Sequence, residues 1–375
     1  MKIKTWNNQF IEIDLPDNIP GNLIALPALV DPHVHFRTPG AEHKENWLTG
    51  AQAAIAGGIT TVFDMPNNQP SIINYQQLII KKELINKQLS EINIPLNYHL
   101  YLGATSKNLR EFEKCQNDII GIKMFMSAST GTLLVDKFED QERIFAECAR
   151  LNLLLATHAV DCIPTTLELA KKFNTKLYIC HVSTKKEVDL IQQYKKEGVE
   201  VYAEVTPHHL FLDETIIEKL DTRAKMIPSL KTKEDCDALW QGIADGTIDT
   251  IGTDHAPHTL EEKAVDYEKA PAGVPGIETS LPLLLNAYNE KKITLKKIVE
   301  LTSANPQKIF NIKNNDWIIV DLDLEHEIKN GNLKTKCKWS PFAGWKLQGK
   351  PVATILNNKV FIIHTHGASV SSDNS

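Results

Sequence analysis

The chain lacks most of the features that assign a function quickly. No stretch reaches the ~18–20 uninterrupted apolar residues of a spanning helix, and the opening MKIKTWNNQF has no signal-peptide run, so a soluble, cytoplasmic chain without membrane association is expected. There is no basic excess: 41 Lys and Arg stand against 47 Asp and Glu, a net charge of -6 at pH 7. That balance argues against a nucleic-acid coat and a polybasic anchor, while leaving room for an anionic small molecule at a local positive site. The six cysteines, Cys115, Cys148, Cys162, Cys180, Cys236 and Cys337, include no CxxC pair, which predicts free thiols in a reducing compartment. No internal repeat and no long low-complexity segment is present.

What is present is an alternation. Eight short β-rich runs, Leu26–Val30, Thr60–Phe63, Asn97–Leu102, Ile119–Phe125, Leu153–His158, Lys176–Cys180, Glu200–Glu204 and Asp249–Gly252, are separated by stretches with helical spacing, such as Asn46–Ala56 and Lys185–Glu197. Strands alternating with helices build a parallel sheet, and eight such units close a barrel within about 250 residues. The expected fold is therefore α/β, a (β/α)8 TIM-type barrel over 26–312. Segments 1–25 and 313–366 alternate without helices and should form one small β domain from both termini, with 367–375 as a tail.

Barrel enzymes place their chemistry on the loops after the strands, and here those positions are unusually rich in ligands. His33 and His35 point to one side of a strand end, as a shared metal requires. His158, His181 and Asp254 close three later runs. Each alone reads as an ordinary hydrogen-bonded core residue, but five at successive strand ends exceed the three or four ligands of one catalytic zinc and point to two divalent ions. Two dications about 3.5–4 Å apart need an anion between them, and the fourth run offers only Lys123. A bare ammonium would be repelled, so a CO2-derived carbamate on Lys123 fits. Taken alone, Lys123 is an ordinary salt-bridge residue. Arg37, Asn67 and His258 read singly as surface polar residues. Beside a metal pair, an Arg fork with an amide and an imidazole suits a carboxylate.

The segments DPHVHFRTPG, DMPNN, GIKMF, CHVST, EVTPHHLF, GTDHAPHTLEEK and PGIETSLPLLL resemble those of dihydroorotases, within the amidohydrolase superfamily, and most closely the type fused into the animal pyrimidine-synthesis protein. The resemblance spans roughly 26–345. It implies two Zn2+ per chain, one on His33, His35 and Asp254, the other on His158 and His181, bridged by carboxylated Lys123. It implies reversible closure of N-carbamoyl-L-aspartate to L-dihydroorotate in pyrimidine biosynthesis, with Asp254 moving the proton and Arg37, Asn67 and His258 holding the substrate carboxylate. It also implies that loop 127–132 closes over the ligand with a hydroxyl from Ser129 or Thr130. Thr38 stands where the family usually has an acid, and Ile227-Pro228-Ser229-Leu230-Lys231 where Asn-Pro-Pro-Leu-Arg is common.

Two other readings are compatible with parts of this pattern. One is another cyclic amidohydrolase, a dihydropyrimidinase or allantoinase. The other is an inactive dihydroorotase-like scaffold for aspartate transcarbamoylase, against which all six ligands are present. A homodimer and an aspartate transcarbamoylase complex are the assemblies considered. His208 and His209 are read as structural, and strand alternation is expected to turn Cys180 away from His181, which disfavours an extra metal at Cys180 and Glu204. His43, His99, His326, His364 and His366 join no constellation.

Overall fold

Three short strands precede the alternating part of the chain: β1 (Lys2–Thr5), β2 (Phe10–Glu12) and β3 (Leu23–Pro27). The computed structural model describes residues 1–13, 15, 21–128 and 131–363, so His364, His366 and the tail lie outside it. One residue after β3 the parallel run begins, with β4 (Leu29–Val34), β5 (Ile59–Asp64), β6 (Asn97–Gly103), β7 (Gly121–Phe125), β8 (Leu155–His158), β9 (Leu177–Ile179), β10 (Val201–Val205) and β11 (Thr250–Ile251). They lie side by side in chain order, each parallel to its neighbour. The two end strands meet through one isolated parallel bridge, Val34 to His255, backed by the His35 N–H donating to the His255 carbonyl at 2.9 Å. Strands covered on both faces lose the apolar–polar alternation, and β4, β5 and β7 are buried throughout.

The helices between them start where the sequence supplies caps. Asn46 accepts from the Thr49 N–H ahead of α1 (Trp47–Ala56), and Asn74 does the same for α2 (Tyr75–Ile92). After α3 (Leu109–Cys115), α4 (Phe138–Arg150) and α5 (Ile163–Phe173), a Thr184–Glu187 capping box opens α6 (Lys185–Lys196). No described helix is long and apolar enough to cross a membrane.

The barrel interior is filled, not hollow. Phe310 enters from the chain after the last barrel helices and packs edge-on against Phe63 (4.8 Å between ring centroids) and Tyr178 (5.1 Å), with Val30, Met65, Tyr101 and Cys180 in the same cluster. This plug supports the strand ends from below.

The remaining strands, β12 (Trp317–Glu327), β13 (Lys346–Leu356) and β14 (Lys359–Ile362), join the first three in a second sheet of order β14-β13-β12-β3-β1-β2. Leu26 therefore belongs to this sheet, opposite Ile318, rather than to the first barrel strand as its sequence run suggested. Its apolar neighbours on both sides make the two strands one continuous hydrophobic run in sequence; only the pairing partners separate them. Between β12 and β13 the chain leaves the sheet, and residues 328–345 pack with Leu212, Met226 and Val274 against the upper loops of the barrel.

Candidate active site at the strand ends

His33 lies in β4 and His35 just beyond it, Lys123 in β7, and His158 at the end of β8; His181 and Asp254 follow β9 and β11. All six line one cleft that also includes Arg37, Asn67, Ile227, Ala272 and Gly273. Three of these side chains are carried on left-handed backbone, Arg37 (φ 61), His181 (φ 42) and Asp254 (φ 44). Such conformations are unfavourable for residues with a Cβ and concentrate at functional sites.

The hydrogen bonds assign tautomers. His33 Nδ1 donates to Glu204 Oε1 at 2.8 Å, and His35 Nδ1 donates to Asn67 Oδ1 at 2.8 Å. Their Nε2 atoms then face the same Asp254 oxygen, at 3.3 and 3.0 Å. Two ring nitrogens and a carboxylate oxygen converging in this way suit a cation, and the ligand atoms of these three residues all lie within 4.8 Å of one another. Across the cleft, His158 Nε2 faces the Ala128 carbonyl at 3.3 Å, and its Nδ1 faces His181 Nε2 at 2.9 Å. Two imidazoles on one tetrahedral zinc stand roughly 3.3 Å apart, so this pair also fits a shared ion.

The protonation states agree. Burial pulls His35 down to about 4 and His158 to about 3, and burial beside His158 takes His181 well below its usual range. These imidazoles are neutral, the form that binds metals. Burial alone would raise Asp254, but His33 and His35 hold it well below the carboxylate range. Burial opposes a proton on His33, yet Glu204 and Asp254 raise it well above normal, so the acceptors around it recruit positive charge.

Lys123 Nζ donates to Cys180 Sγ at 2.8 Å. Cys180 thus faces the barrel interior, and with His33 and Glu204 it forms a second buried set of donor atoms within 4.8 Å. The alternation argument that turned Cys180 away fails because β9 ends at Ile179 and His181 is left-handed, so period-two geometry no longer applies there. Glu204 itself is fixed from below by Tyr178 Oη at 2.9 Å, which also contacts Thr250 Oγ1 at 2.7 Å.

The rim is less direct. Arg37 Nε donates to the Pro257 carbonyl at 3.3 Å, and Asn67 uses its oxygen on His35. His258 touches Arg37 Nη2 at 3.3 Å, while its Nδ1 accepts from Lys44 Nζ at 3.2 Å and its Nε2 faces the Ala272 carbonyl at 3.0 Å. Both His258 nitrogens are engaged by protein. Lys44 escaped the sequence reading because it sits in the charged run EHKEN, which has the look of a solvated surface. Behind the rim, Asp64 accepts from the Phe36 N–H at 2.7 Å and pairs with Lys81 at 2.5 Å, both side chains almost wholly buried. Asp31 similarly ties the His33 N–H to Thr253. Ser129 and Thr130 lie outside the described residues. His209 bridges Thr206 Oγ1 and the Pro228 carbonyl, a structural role, whereas His208 Nε2 is buried with no hydrogen-bond partner among the described residues.

Comparison with known proteins is consistent with this geometry. The model of the amidohydrolase family matches residues 24–360. A dihydroorotase of Bacillus cereus (strain G9842) is 36% identical, with 94% of this chain and 89% of that protein covered. The multifunctional protein CAD of Squalus acanthias is 37% identical over 91% of this chain, which spans 15% of that much longer protein. Among solved structures, an L-hydantoinase (dihydropyrimidinase) from Arthrobacter aurescens superimposes with a TM-score of 0.87 at 25% identity, covering 93% of this chain and 87% of that one. The inactive dihydroorotase-like domain of a Chaetomium thermophilum CAD-like multifunctional protein has a TM-score of 0.73 at 22% identity, over 90% of this chain and 94% of that one, and shares the fold.

Proposed function

This chain belongs to the amidohydrolase family, and we propose that within it the protein is a dihydroorotase that interconverts N-carbamoyl-L-aspartate and L-dihydroorotate. The observation that carries the reading is one cleft lined by His33, His35, Lys123, His158, His181 and Asp254 together with Arg37 and Asn67. The donors suit two zinc ions, His33, His35 and Asp254 holding one and His158 and His181 the other. Lys123, once its amine had taken up CO2 with loss of a proton, would supply the anion that such a pair requires. Divalent ions, when bound, supply Lewis-acid polarisation of the amide carbonyl and water acidified to near neutrality.

The chain's own residues do the rest. Asp254, kept ionised by its imidazole neighbours, accepts the proton of the attacking water and delivers it to the ring nitrogen as the C–N bond breaks; ring closure reverses both transfers. Glu204 and Asn67 fix the His33 and His35 rings so that Nε2 faces the cleft. Arg37 meets the substrate carboxylate as a fork, with Asn67 and His258 beside it. His258 must release Lys44 or Ala272 to join that contact. A hydroxyl contact to the ligand from Ser129 or Thr130 belongs to the same proposal. The unpaired cysteines support a cytoplasmic setting, and a homodimer or an aspartate transcarbamoylase complex is the assembly proposed.

The test is metal content and turnover on one purified sample, with dihydroorotate, dihydrouracil and allantoin compared. Two ions per chain and selective hydrolysis of dihydroorotate are expected. Preference for dihydrouracil would assign a dihydropyrimidinase, and a metal-loaded protein that turns over none of the three would assign a scaffold.

A further inference from the structure

Lys263 carries a buried amine that the proposed chemistry does not use, pulled down to about 7 by burial and by the nearby charges of Lys225 and Arg37. It ends the short helix Leu260–Lys263 after His258 and is 1% exposed. Its Nζ donates to three main-chain carbonyls, Pro271 at 2.8 Å, Thr222 at 3.1 Å and Lys225 at 3.1 Å. Among the described residues no salt bridge reaches it. In its protonated form the amine has three N–H donors and no acceptor, so the three oxygens match it donor for acceptor and oppose the loss of the proton that burial favours. The Trp339 ring lies 5.8 Å away.

The carbonyls it gathers belong to two segments that wall the cleft. Ile227 follows the Lys225 carbonyl by two residues, and Ala272 and Gly273 follow Pro271 directly. The segments are also tied to each other, because the Gly273 N–H donates to the Lys225 carbonyl at 3.0 Å. Gly273 has φ 131, and a Cβ there would stand 2.5 Å from the Ala256 carbonyl, so this backbone runs hard against the loop that carries Asp254 and His258. The Ala272 carbonyl faces His258 Nε2, and Trp339 Nε1 donates to the His258 carbonyl at 2.7 Å. Lys263 thus sits where the wall segments, the His258 loop and the 328–345 segment meet.

We propose that Lys263 is a positioning residue for substrate binding: its Nζ donors hold segments 222–227 and 271–273 at the spacing the ligand needs. The inference rests on the reading of this cleft as a dihydroorotate site. It assigns Lys263 an effect on binding rather than on the chemical step, since none of its contacts is with a metal donor.

The test uses the full-length protein with Lys263→Met, which keeps much of the side-chain volume and removes the donors. Expected are a KM for dihydroorotate raised about 10- to 100-fold, kcat within about threefold of wild type, and unchanged metal content. Amide hydrogen exchange without substrate should accelerate in 222–228 and 271–275 and not elsewhere. Pro271→Gly, which loosens one gathered segment while keeping the amine, should raise KM in the same direction by less, and it serves where Lys263→Met does not fold. A lowered melting temperature with unchanged KM, or exchange that rises uniformly, overturns the proposal. Because the exchange measurement needs no turnover, it decides the inference even if wild type fails to hydrolyse dihydroorotate, an outcome that would instead remove the functional reading.

Discussion

The strand ends and the rim of the cleft are built by different means. His33 and Lys123 belong to barrel strands that are buried along their whole length, and their directions follow from the strand itself. Arg37, Asn67 and His258 stand on loops whose positions depend on buried ties to distant segments: Lys81 through Asp64, Lys263 through three carbonyls, and Glu45 and Glu278 through residues 334–336. The directions of those two side chains are set within their own strands, and the positions of the walls by long-range contacts. Substitutions at the strand ends should therefore remove the chemistry and leave the fold, whereas substitutions behind the rim should change affinity or stability.

The largest effect should come from the first region. Asp254→Asn keeps the shape but loses the proposed proton acceptor, and kcat for dihydroorotate should fall about a thousandfold with an unchanged melting temperature. Residual turnover near wild type in stopped-time assays would separate the proton role from Asp254.

Next is the tie behind the rim. Lys81→Met leaves the Asp64 carboxylate buried without its partner, which typically costs about 3–5 kcal/mol, and thermal unfolding should shift down by several degrees. The double variant with Asp64→Asn should recover part of that loss, since it removes the stranded charge. If both variants melt like wild type, the rim is not held by this pair.

A smaller effect isolates recognition. Arg37→Lys keeps a charge but loses the fork, and at about 1.5–3 kcal/mol for a charged hydrogen bond KM should rise roughly 10- to 100-fold. Steady-state kinetics should show the preference for dihydroorotate over dihydrouracil shrinking by a similar factor. Unchanged discrimination would put the carboxylate elsewhere.

The smallest concerns Glu278. Burial, against the N–H groups of Thr335 and Lys334 and with Glu45 nearby, pushes its carboxyl up to about 7. Between about 4.5 and 7 the unfolded chain has released this proton while the folded chain keeps it, so this group's contribution to stability falls as pH rises through that window. Denaturant midpoints measured across it should decline, and Glu278→Gln should flatten the decline.

The contrast between the two regions also explains what the sequence made legible. The alternation of runs and the histidines closing successive strands are local signals, and they led to the barrel and to six residues that line one cleft. Glu45, Lys44 and Lys263 carry no local signal. EHKEN and TLEEK have the composition of solvated faces, and these residues are buried or half-buried because Thr335, His258 and the Thr222 carbonyl reach them from 41 to 290 residues away. Leu26 and Cys180 mark the limits of pattern reasoning in another way. Leu26 sits where two strands of different sheets abut, and Cys180 where a strand has just ended, so period alone assigns neither.

The bridge from Val34 to His255 that closes the barrel lies beside His33, His35 and Asp254. His35 and Asp254 are 219 residues apart in the chain, so the three-donor set is created by the same event that joins the last strand to the first. Contacts of such separation form late, after the loop entropy of most of the barrel has been offset by nearer pairings. A growing chain on the ribosome therefore cannot present this donor set until the final barrel strand has emerged, and an ion captured there marks a completed barrel.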